Sequence, residues 1–173
     1  DPEGFSSHGV VVATARAGNV IGGGDWAEDR IVPDAMRAWS KDAQLTVRNP
    51  DAVRPWQHVF EPLCGYLMLA EQLCTAGPRV SGGWNFGPAA DDETPVRDVL
   101  DRLRSVWGEG ANWRVVGSDH AHEATMLSLD CSKANTGLGW WPKWDLERAV
   151  VATVSWYRGF FASEDMRAFS EQQ

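Results

Sequence analysis

VVVATARAGNVIGGGDWAEDRIVPD, residues 10–34, decides the fold class of this chain. Residues 10–14 are a short apolar run typical of a buried β-strand, and a helical pattern begins after the glycines. The sequence therefore predicts that residues 15–34 form a glycine-rich loop at the carboxyl end of a strand. In open α/β sheets, ligands bind at such strand ends.

This loop carries three kinds of polar side chain: an amide at Asn19, a carboxylate at Asp25 and a guanidinium at Arg30. Its glycines allow the backbone to approach a ligand closely. Together these features predict a site for a polar, phosphorylated ligand. Taken alone, the loop has an alternative interpretation as a surface loop with glycine turns.

The composition is that of an ordinary globular domain, with 173 residues, 43% hydrophobic and 23% charged, enough for one core. The net charge of -8 argues against nucleic acid or an anionic membrane as the main partner, because both select basic surfaces. A phosphate ligand remains compatible, since a few arginines in one pocket outweigh net charge. No apolar run approaches the roughly 20 residues of a membrane span, and no leader opens the chain, so we expect a cytoplasmic location.

The cysteines and histidines do not have the spacing of a metal site. Cys64 and Cys74 lie on one predicted helix, where ten positions separate them by roughly 15 Å and forbid a disulfide. With Cys131, they are expected to be buried free thiols. No bound metal is predicted.

Ten tryptophans are many for this length, and most are expected in the core because each buries a large apolar area. Trp26 and Trp56 stand beside polar loop residues. For these two, the alternative is that the indole walls a ligand pocket.

Helices and strands alternate along the chain without a repeat or linker, which predicts a single α/β unit over residues 1–173. The patterns place helices at residues 30–41, 60–74, 95–107 and from 145 onward, and strands at residues 44–48, 53–59, 82–88, 113–116 and 126–129.

Several details of these elements are also predicted. Pro55 confines its strand to an edge or to the margin of a loop, so that the polar residues of the strand are reachable. Thr94 is an N-cap with Pro95 at the first helical position, and Asp145 caps the last helix, which frays towards residues 170–173. The helix at residues 60–74 buries an apolar face made of Leu63, Tyr66, Leu67, Ala70 and Leu73.

The chain resembles one family over nearly its whole length. An Arg-x-x-Asn-Val-x-Gly loop at residues 16–22, an Arg-x-Trp segment at 54–56 and a Leu-Gly-Trp-x-Pro segment at 138–142 are similar to motifs of the nucleotide-sugar members of the extended short-chain dehydrogenase/reductase family. Gly-Gly-Gly-Asp-Trp at residues 22–26 and Arg-Pro-Trp-Gln-His at 54–58 favour the CDP-glucose 4,6-dehydratase branch over the dTDP-glucose, GDP-mannose and epimerase branches.

The resemblance implies an α/β fold: the carboxyl-terminal portion of a Rossmann-type doubly wound fold, together with the smaller substrate-binding lobe. It implies binding of CDP-glucose or a similar nucleotide-sugar, and conversion to the 4-keto-6-deoxy sugar with loss of water. Relatives are commonly dimers, so a homodimer is a further expectation.

The family's glycine-rich NAD turn and its Tyr-x-x-x-Lys pair have no match here, since Tyr66 is followed by Ala70 and Tyr157 by Phe161. The expectation is that these parts belong to an amino-terminal half that the chain lacks, which would bind most of the NAD. No catalytic residue is then expected among the 173.

The resemblance also implies substrate contacts. Asn19 would meet the sugar and diphosphate, Arg30 and Arg54 the diphosphate, and Arg48 the base and ribose. His58 stands where relatives have a tyrosine or similar side chain. Further candidates are Asn85, His122 and Glu123.

Each main candidate has a structural alternative. The arginines could form surface ion pairs, Asn19 could cap a loop and Asn85 a turn. The chain also departs from many relatives, which have an arginine where it has Ser118, Asp119 and His120.

Three hypotheses follow: half of a CDP-glucose 4,6-dehydratase, another dehydratase or epimerase of the same family, or a nucleotide-sugar-binding module without catalysis. Fold similarity alone does not separate them.

Overall fold

The computed structural model describes residues 10–89, 93–117 and 125–173. Among these, strands and helices alternate along most of the chain. The strands are β1 (Ala13–Ala17), β2 (Asn19–Ile21), β3 (Leu45–Val47), β4 (Val53–His58), β5 (Gly82–Phe86), β6 (Glu93–Pro95) and β7 (Trp113–Val115). The helices are α1 (Ile31–Trp39), α2 (Phe60–Ala76), α3 (Val96–Trp107), α4 (Ser132–Leu138), α5 (Leu146–Phe161) and α6 (Met166–Gln172), and a 3-10 turn spans Gly77–Val80.

The first sheet is a parallel pair in which β1 runs beside β5, with Ala13 opposite Gly82 and Ala17 opposite Phe86. The strand begins three residues later than predicted and extends through residues 15–17, which were expected to be loop. Helices α2 and α4 pack near this pair around a small apolar cluster. Its buried members are Leu69, Val80, Trp84, Phe86, Ala134 and Trp140.

In the second sheet β4 is the central strand, with the order β2-β4-β6. Residues 56–58 pair in parallel with β2, and residues 53–55 pair antiparallel with β6. The prediction that Pro55 places this strand at an edge was wrong, because Pro55 lies where the pairing passes from one neighbour to the other. Gln57 and His58 are 2% and 1% exposed, so these two side chains are not reachable from solvent.

The larger core lies between this sheet, the parallel pair β3–β7 and helices α1, α3 and α5. The two largest fully buried side chains of this core are Trp39 and Tyr157. Helix α1 buries Ala35, Met36 and Trp39 on its inner face. This core supports the end of the sheet where β2 and β4 meet.

Helix α2 is confirmed, but the prediction of its buried face was wrong for three of five residues. It packs through Glu61, Pro62, Gly65 and Leu69, while Leu67 is 73% exposed. The reason is a close approach at Gly65, where an added Cβ atom would lie 2.2 Å from Cδ1 of Phe86. Of the predicted face, Leu63, Leu67 and Ala70 are exposed, whereas Tyr66 and Leu73 pack partly buried against the small cluster, with the Tyr66 ring 5.4 Å from that of Phe86.

The same orientation corrects the prediction for the thiols. Cys64 and Cys74 are exposed and Cys131 is half-buried. The first two share helix α2, as expected, but lie outside its packed face.

Helix starts agree with the sequence in one case and differ in another. Asp145 caps α5 as predicted, with its carboxylate accepting the N–H of Arg148 at 2.8 Å. Thr94 is not a cap: it lies buried in β6, and Pro95 occupies the N-cap position of α3.

Two further segments differ from the predictions. Residues 126–129 do not form the predicted strand. They contribute a single isolated bridge, from Met126 to Val53. The carboxyl-terminal residues form helix α6 rather than fraying, since the Asp165 carboxylate accepts the N–H groups of Arg167 and Ala168. No helix within the described residues is long and apolar enough to cross a membrane.

Candidate functional site

A groove of about 860 Å³ opens where β2, the start of α1, the end of β3 and the start of β4 meet. It is lined by four of the predicted substrate-contact residues, one from each of these four places in the chain: Asn19, Arg30, Arg48 and Arg54. The tertiary structure therefore gathers an amide and three guanidinium groups around one cavity.

The position of Asn19 is set by strand pairing, which places it opposite Trp56 across the β2–β4 ladder. Trp56 is buried and lines the groove, and its indole N–H donates to the carbonyl of Thr94 at 2.9 Å. The indole of Trp56 is thus a wall of the cavity, as its alternative interpretation had it. Asn19 is a residue of strand β2 and does not cap a loop.

Trp26 does not line the groove. Its ring packs on Phe160 at 4.8 Å and on Tyr157 at 5.2 Å between ring centres. Trp26 therefore belongs to an aromatic cluster with the end of α5.

Two of the three arginines are held by carboxylates at the rim. Arg30 pairs with Asp25 at 3.2 Å, and Arg48 pairs with Asp29 at 3.5 Å, with 65% and 61% of the arginine side chains exposed. Both residues thus form the surface ion pairs named as their alternative. Such exposed pairs contribute little free energy, and each guanidinium has further N–H donors with which it can bind an anion.

Arg54 is half-buried and donates from Nη1 to the carbonyl of Val53 at 2.9 Å. With Arg30 and Arg48, it gives the groove three planar, permanently charged donors. Guanidinium groups bind phosphate oxygens in a bidentate manner, so this set suits a ligand with more than one phosphate.

The glycines of the loop serve protein packing. A Cβ atom added at Gly22 would lie 2.8 Å from Cγ1 of Val59, and one at Gly23 would lie 2.0 Å from Cγ of Trp156. Side chains of the protein therefore occupy the space next to Gly22 and Gly23, whereas Gly18 of the same loop lines the groove.

His58 lies apart from the groove lining, buried at the end of β4. Its ring stacks on Trp144 at 4.6 Å between ring centres, and Nδ1 accepts the N–H of Phe60 at 3.4 Å. Burial, and then the nearby charge of Arg148, lower the pKa of His58 to about 4. The imidazole is therefore neutral near pH 7.

Asn85 also lies outside the groove lining. It is within β5 rather than in a turn, and its side-chain N–H donates to the carbonyl of Asp130 at 2.9 Å. The amide thus links this strand to the segment before α4, so the interpretation as a turn cap was wrong. His122 and Glu123, with residues 118–120, lie outside the described residues.

Four polar groove residues were missed by reasoning from the sequence: Asp29, which pairs with Arg48, and Asp34, Thr46 and Asn49. The turn-forming Asn-Pro-Asp at residues 49–51 was the available signal for Asn49. No group of three or more metal-binding side chains occurs within the described ranges.

The sequence is similar to dehydratases that act on nucleotide-sugars. It is 46% identical over 173 residues to CDP-glucose 4,6-dehydratase of Salmonella typhimurium, covering all of this chain and 48% of that protein. It is 28% identical to dTDP-glucose 4,6-dehydratase of Streptomyces antibioticus, covering 88% of this chain and 43% of that protein. The chain thus spans about half the length of these relatives. No protein-family profile matches it.

Solved structures of epimerases and dehydratases have the same fold. UDP-glucuronic acid 4-epimerase from Bacillus cereus superposes with a TM-score of 0.76 at 18% identity, covering 90% of this chain and 48% of that one. dTDP-glucose 4,6-dehydratase from Bacillus anthracis gives 0.71 at 16% identity, covering 97% and 50%. These matches confirm the predicted α/β, Rossmann-type fold class. In sequence, the chain is a relative of CDP-glucose 4,6-dehydratase that matches its carboxyl-terminal half.

Proposed function

We propose that this chain is the nucleotide-sugar-binding half of a CDP-glucose 4,6-dehydratase, an NAD-dependent lyase that converts CDP-glucose to CDP-4-keto-6-deoxyglucose and water. One observation carries the proposal: Asn19, Arg30, Arg48 and Arg54 line a single groove in a chain similar over its whole length to such an enzyme.

In this proposal the groove binds and orients the substrate. Arg30 and Arg54 bind the diphosphate, because forked guanidinium groups match phosphate oxygens, and Arg48 lies towards the base and ribose. Asn19, fixed on β2 beside Trp56, donates and accepts hydrogen bonds near the sugar. Proton and hydride transfers are assigned to the other half of the enzyme.

The described residues do not fit a dinucleotide turn. The stretch between β2 and α1 packs Gly22 against Val59 and Gly23 against Trp156, and these glycines do not have the spacing of a Gly-x-Gly-x-x-Gly turn. We propose that NAD is bound mainly by the amino-terminal half of the enzyme.

Calorimetric titration of the chain with CDP-glucose, dTDP-glucose and GDP-mannose tests the proposed ligand. CDP-glucose is expected to bind most tightly. Tighter binding of dTDP-glucose would favour the alternative, a dTDP-glucose dehydratase, for which the 28% identity to the Streptomyces protein is the supporting observation. Failure to bind any of the three would contradict the groove as a nucleotide-sugar site.

The reaction is tested separately with a chimera. The amino-terminal half of the Salmonella enzyme is joined to this chain, and the product of CDP-glucose with NAD is followed by its 4-keto group. Product formation, lost in Arg54→Ala with the same fold, would support the proposal. A folded chimera that binds CDP-glucose without forming product would contradict the dehydratase assignment.

Other expectations stay predictions. These are the cytoplasmic location, the homodimer, the organisation of residues 1–173 as one unit, and contacts from His58, Asn85, His122 and Glu123 to the substrate.

A further inference from the structure

We propose that Tyr157 and Arg37 are positioning residues, which hold residues 25–27 so that Arg30 stays at the groove. The inference rests on the proposed function, because it concerns the same nucleotide-sugar groove. It begins from three consecutive backbone carbonyls that are each bound by a side chain from a helix.

The first carbonyl is that of Asp25. It accepts a hydrogen bond from the hydroxyl of Tyr157, which lies on α5, 132 positions later in the chain. The side chain of Tyr157 is fully buried. Burial raises the pKa of Tyr157 to about 12, followed by the nearby charge of Asp25. The hydroxyl therefore keeps its proton, and its role as donor, throughout the physiological pH range.

The next two carbonyls are bound by one guanidinium. Arg37 of α1 donates from Nη1 to the carbonyl of Trp26 at 2.8 Å and from Nη2 to the carbonyl of Ala27 at 3.1 Å. The same side chain is paired with Asp34. The forked geometry of a guanidinium allows one side chain to bind both neighbouring carbonyls.

Asp25 connects this clamped segment to the groove. Its backbone carbonyl is held by Tyr157, while its carboxylate accepts the N–H of Ala27 at 3.0 Å and pairs with Arg30 at 3.2 Å. Two hydrogen bonds therefore connect the core to the groove. The Tyr157 hydroxyl fixes the backbone of Asp25, and the Asp25 carboxylate orients the guanidinium of Arg30.

The packing of the ring and the role of the hydroxyl are separable. The ring of Tyr157 contacts Trp26 and Trp156, with centres 5.2 and 5.5 Å away, and a phenylalanine would keep both contacts. Only the bond to the Asp25 carbonyl is lost in Tyr157→Phe. This substitution therefore tests positioning rather than core packing.

The experiment compares wild type, Tyr157→Phe, Arg37→Lys and a control, Val150→Ala. Val150 is fully buried in the same helix and does not line the groove, so its substitution lowers stability without touching residues 25–30. Two quantities are measured: the affinity for CDP-glucose by calorimetry, and amide exchange of residues 25–30 without ligand by mass spectrometry.

Tyr157→Phe and Arg37→Lys are each expected to weaken CDP-glucose about fivefold to tenfold and to speed exchange at residues 25–30 about fivefold, the size of one or two lost hydrogen bonds. Val150→Ala is expected to lower the unfolding midpoint and leave both quantities unchanged. A purely structural role would instead make affinity follow stability across all the variants.

Unchanged affinity and exchange in folded Tyr157→Phe would overturn the inference, as would an equal loss of affinity in Val150→Ala. If the wild-type chain bound no nucleotide-sugar, the proposed function would fail. Faster exchange in Tyr157→Phe would then still support the clamp on residues 25–27, and equal exchange would overturn it.

Discussion

Gly23 lies directly against the indole of Trp156, so that a Cβ atom added at Gly23 would be 2.0 Å from Cγ of that ring. The two residues join the loop after β2 to α5. Because the contact is between backbone and a rigid ring, it leaves no room for a larger residue at this position.

Gly23→Ala is expected to lower the free energy of unfolding by about 1–3 kcal/mol, the usual cost of overpacking a core. Urea unfolding measures the change. Gly117→Ala is the matched control, since no atom of the described residues lies within 4 Å of a Cβ atom there, and it is expected to change stability by less than about 1 kcal/mol. If Trp156→Leu did not relieve the cost of Gly23→Ala in a double-mutant cycle, the contact would not be its cause.

Arg54→Ala is expected to weaken CDP-glucose binding by about 1.5–3 kcal/mol, the worth of hydrogen bonds to a charged group. Calorimetry on folded protein gives the affinity. Arg102→Ala is the control, because Arg102 lies on α3 outside the groove lining and pairs with Glu147 at 3.6 Å. Equal affinities in wild type and Arg54→Ala would mean that Arg54 does not contact phosphate.

Glu61→Ala is expected to lower the free energy of unfolding by about 3 kcal/mol. The buried carboxylate accepts the N–H of Lys143 at 2.9 Å and of Trp144 at 3.1 Å, and each bond to a charged group contributes about 1.5–3 kcal/mol. Chemical denaturation checks the value. Glu71→Ala, at an exposed position of the same helix, should change stability by less than about 0.5 kcal/mol. Equal destabilisation by the two substitutions would show that the hydrogen bonds of the Glu61 carboxylate do not stabilise the fold.

His58 makes stability depend on pH in a defined window. Its folded pKa is about 4 against an ordinary value of 6.5, so between these values the unfolded chain binds a proton that the folded chain excludes. The free energy of unfolding is therefore unaffected by His58 above pH 6.5, and it decreases as the pH falls from 6.5 towards 4.

From pH 7.5 to 4.5 the loss due to His58 is expected to be about 2–3 kcal/mol. His58→Asn keeps an acceptor for the Phe60 N–H but cannot titrate, so its unfolding free energy should change less over that range. Parallel pH dependence in wild type and His58→Asn, measured by urea unfolding, would show that this imidazole is not responsible.

Much of the local structure could be predicted from residue patterns. The N-cap at Asp145 and the helix beginning at Phe60 depend on neighbours within a few positions, and both are confirmed. The burial of that helix could not be predicted, because its approach to β5 is set by Gly65 against Phe86 rather than by its own apolar periodicity.

The candidate site was predictable in its residues but not in its geometry. Motif resemblance singled out Asn19, Arg30, Arg48 and Arg54, and the structure brings all four to one groove. The same reasoning could not predict that His58 is buried against the ring of Trp144, since that contact depends on how α5 and the segment before it pack.

The sequence by itself determined the class of the fold, the order of most elements and the similarity to nucleotide-sugar dehydratases, because these depend on local propensity and on motif spacing. Tertiary structure alone decided why residues 22 and 23 are glycines. Their neighbours, Val59 just after β4 and Trp156 on α5, are distant in sequence, and packing this close leaves no space for a side chain at either glycine.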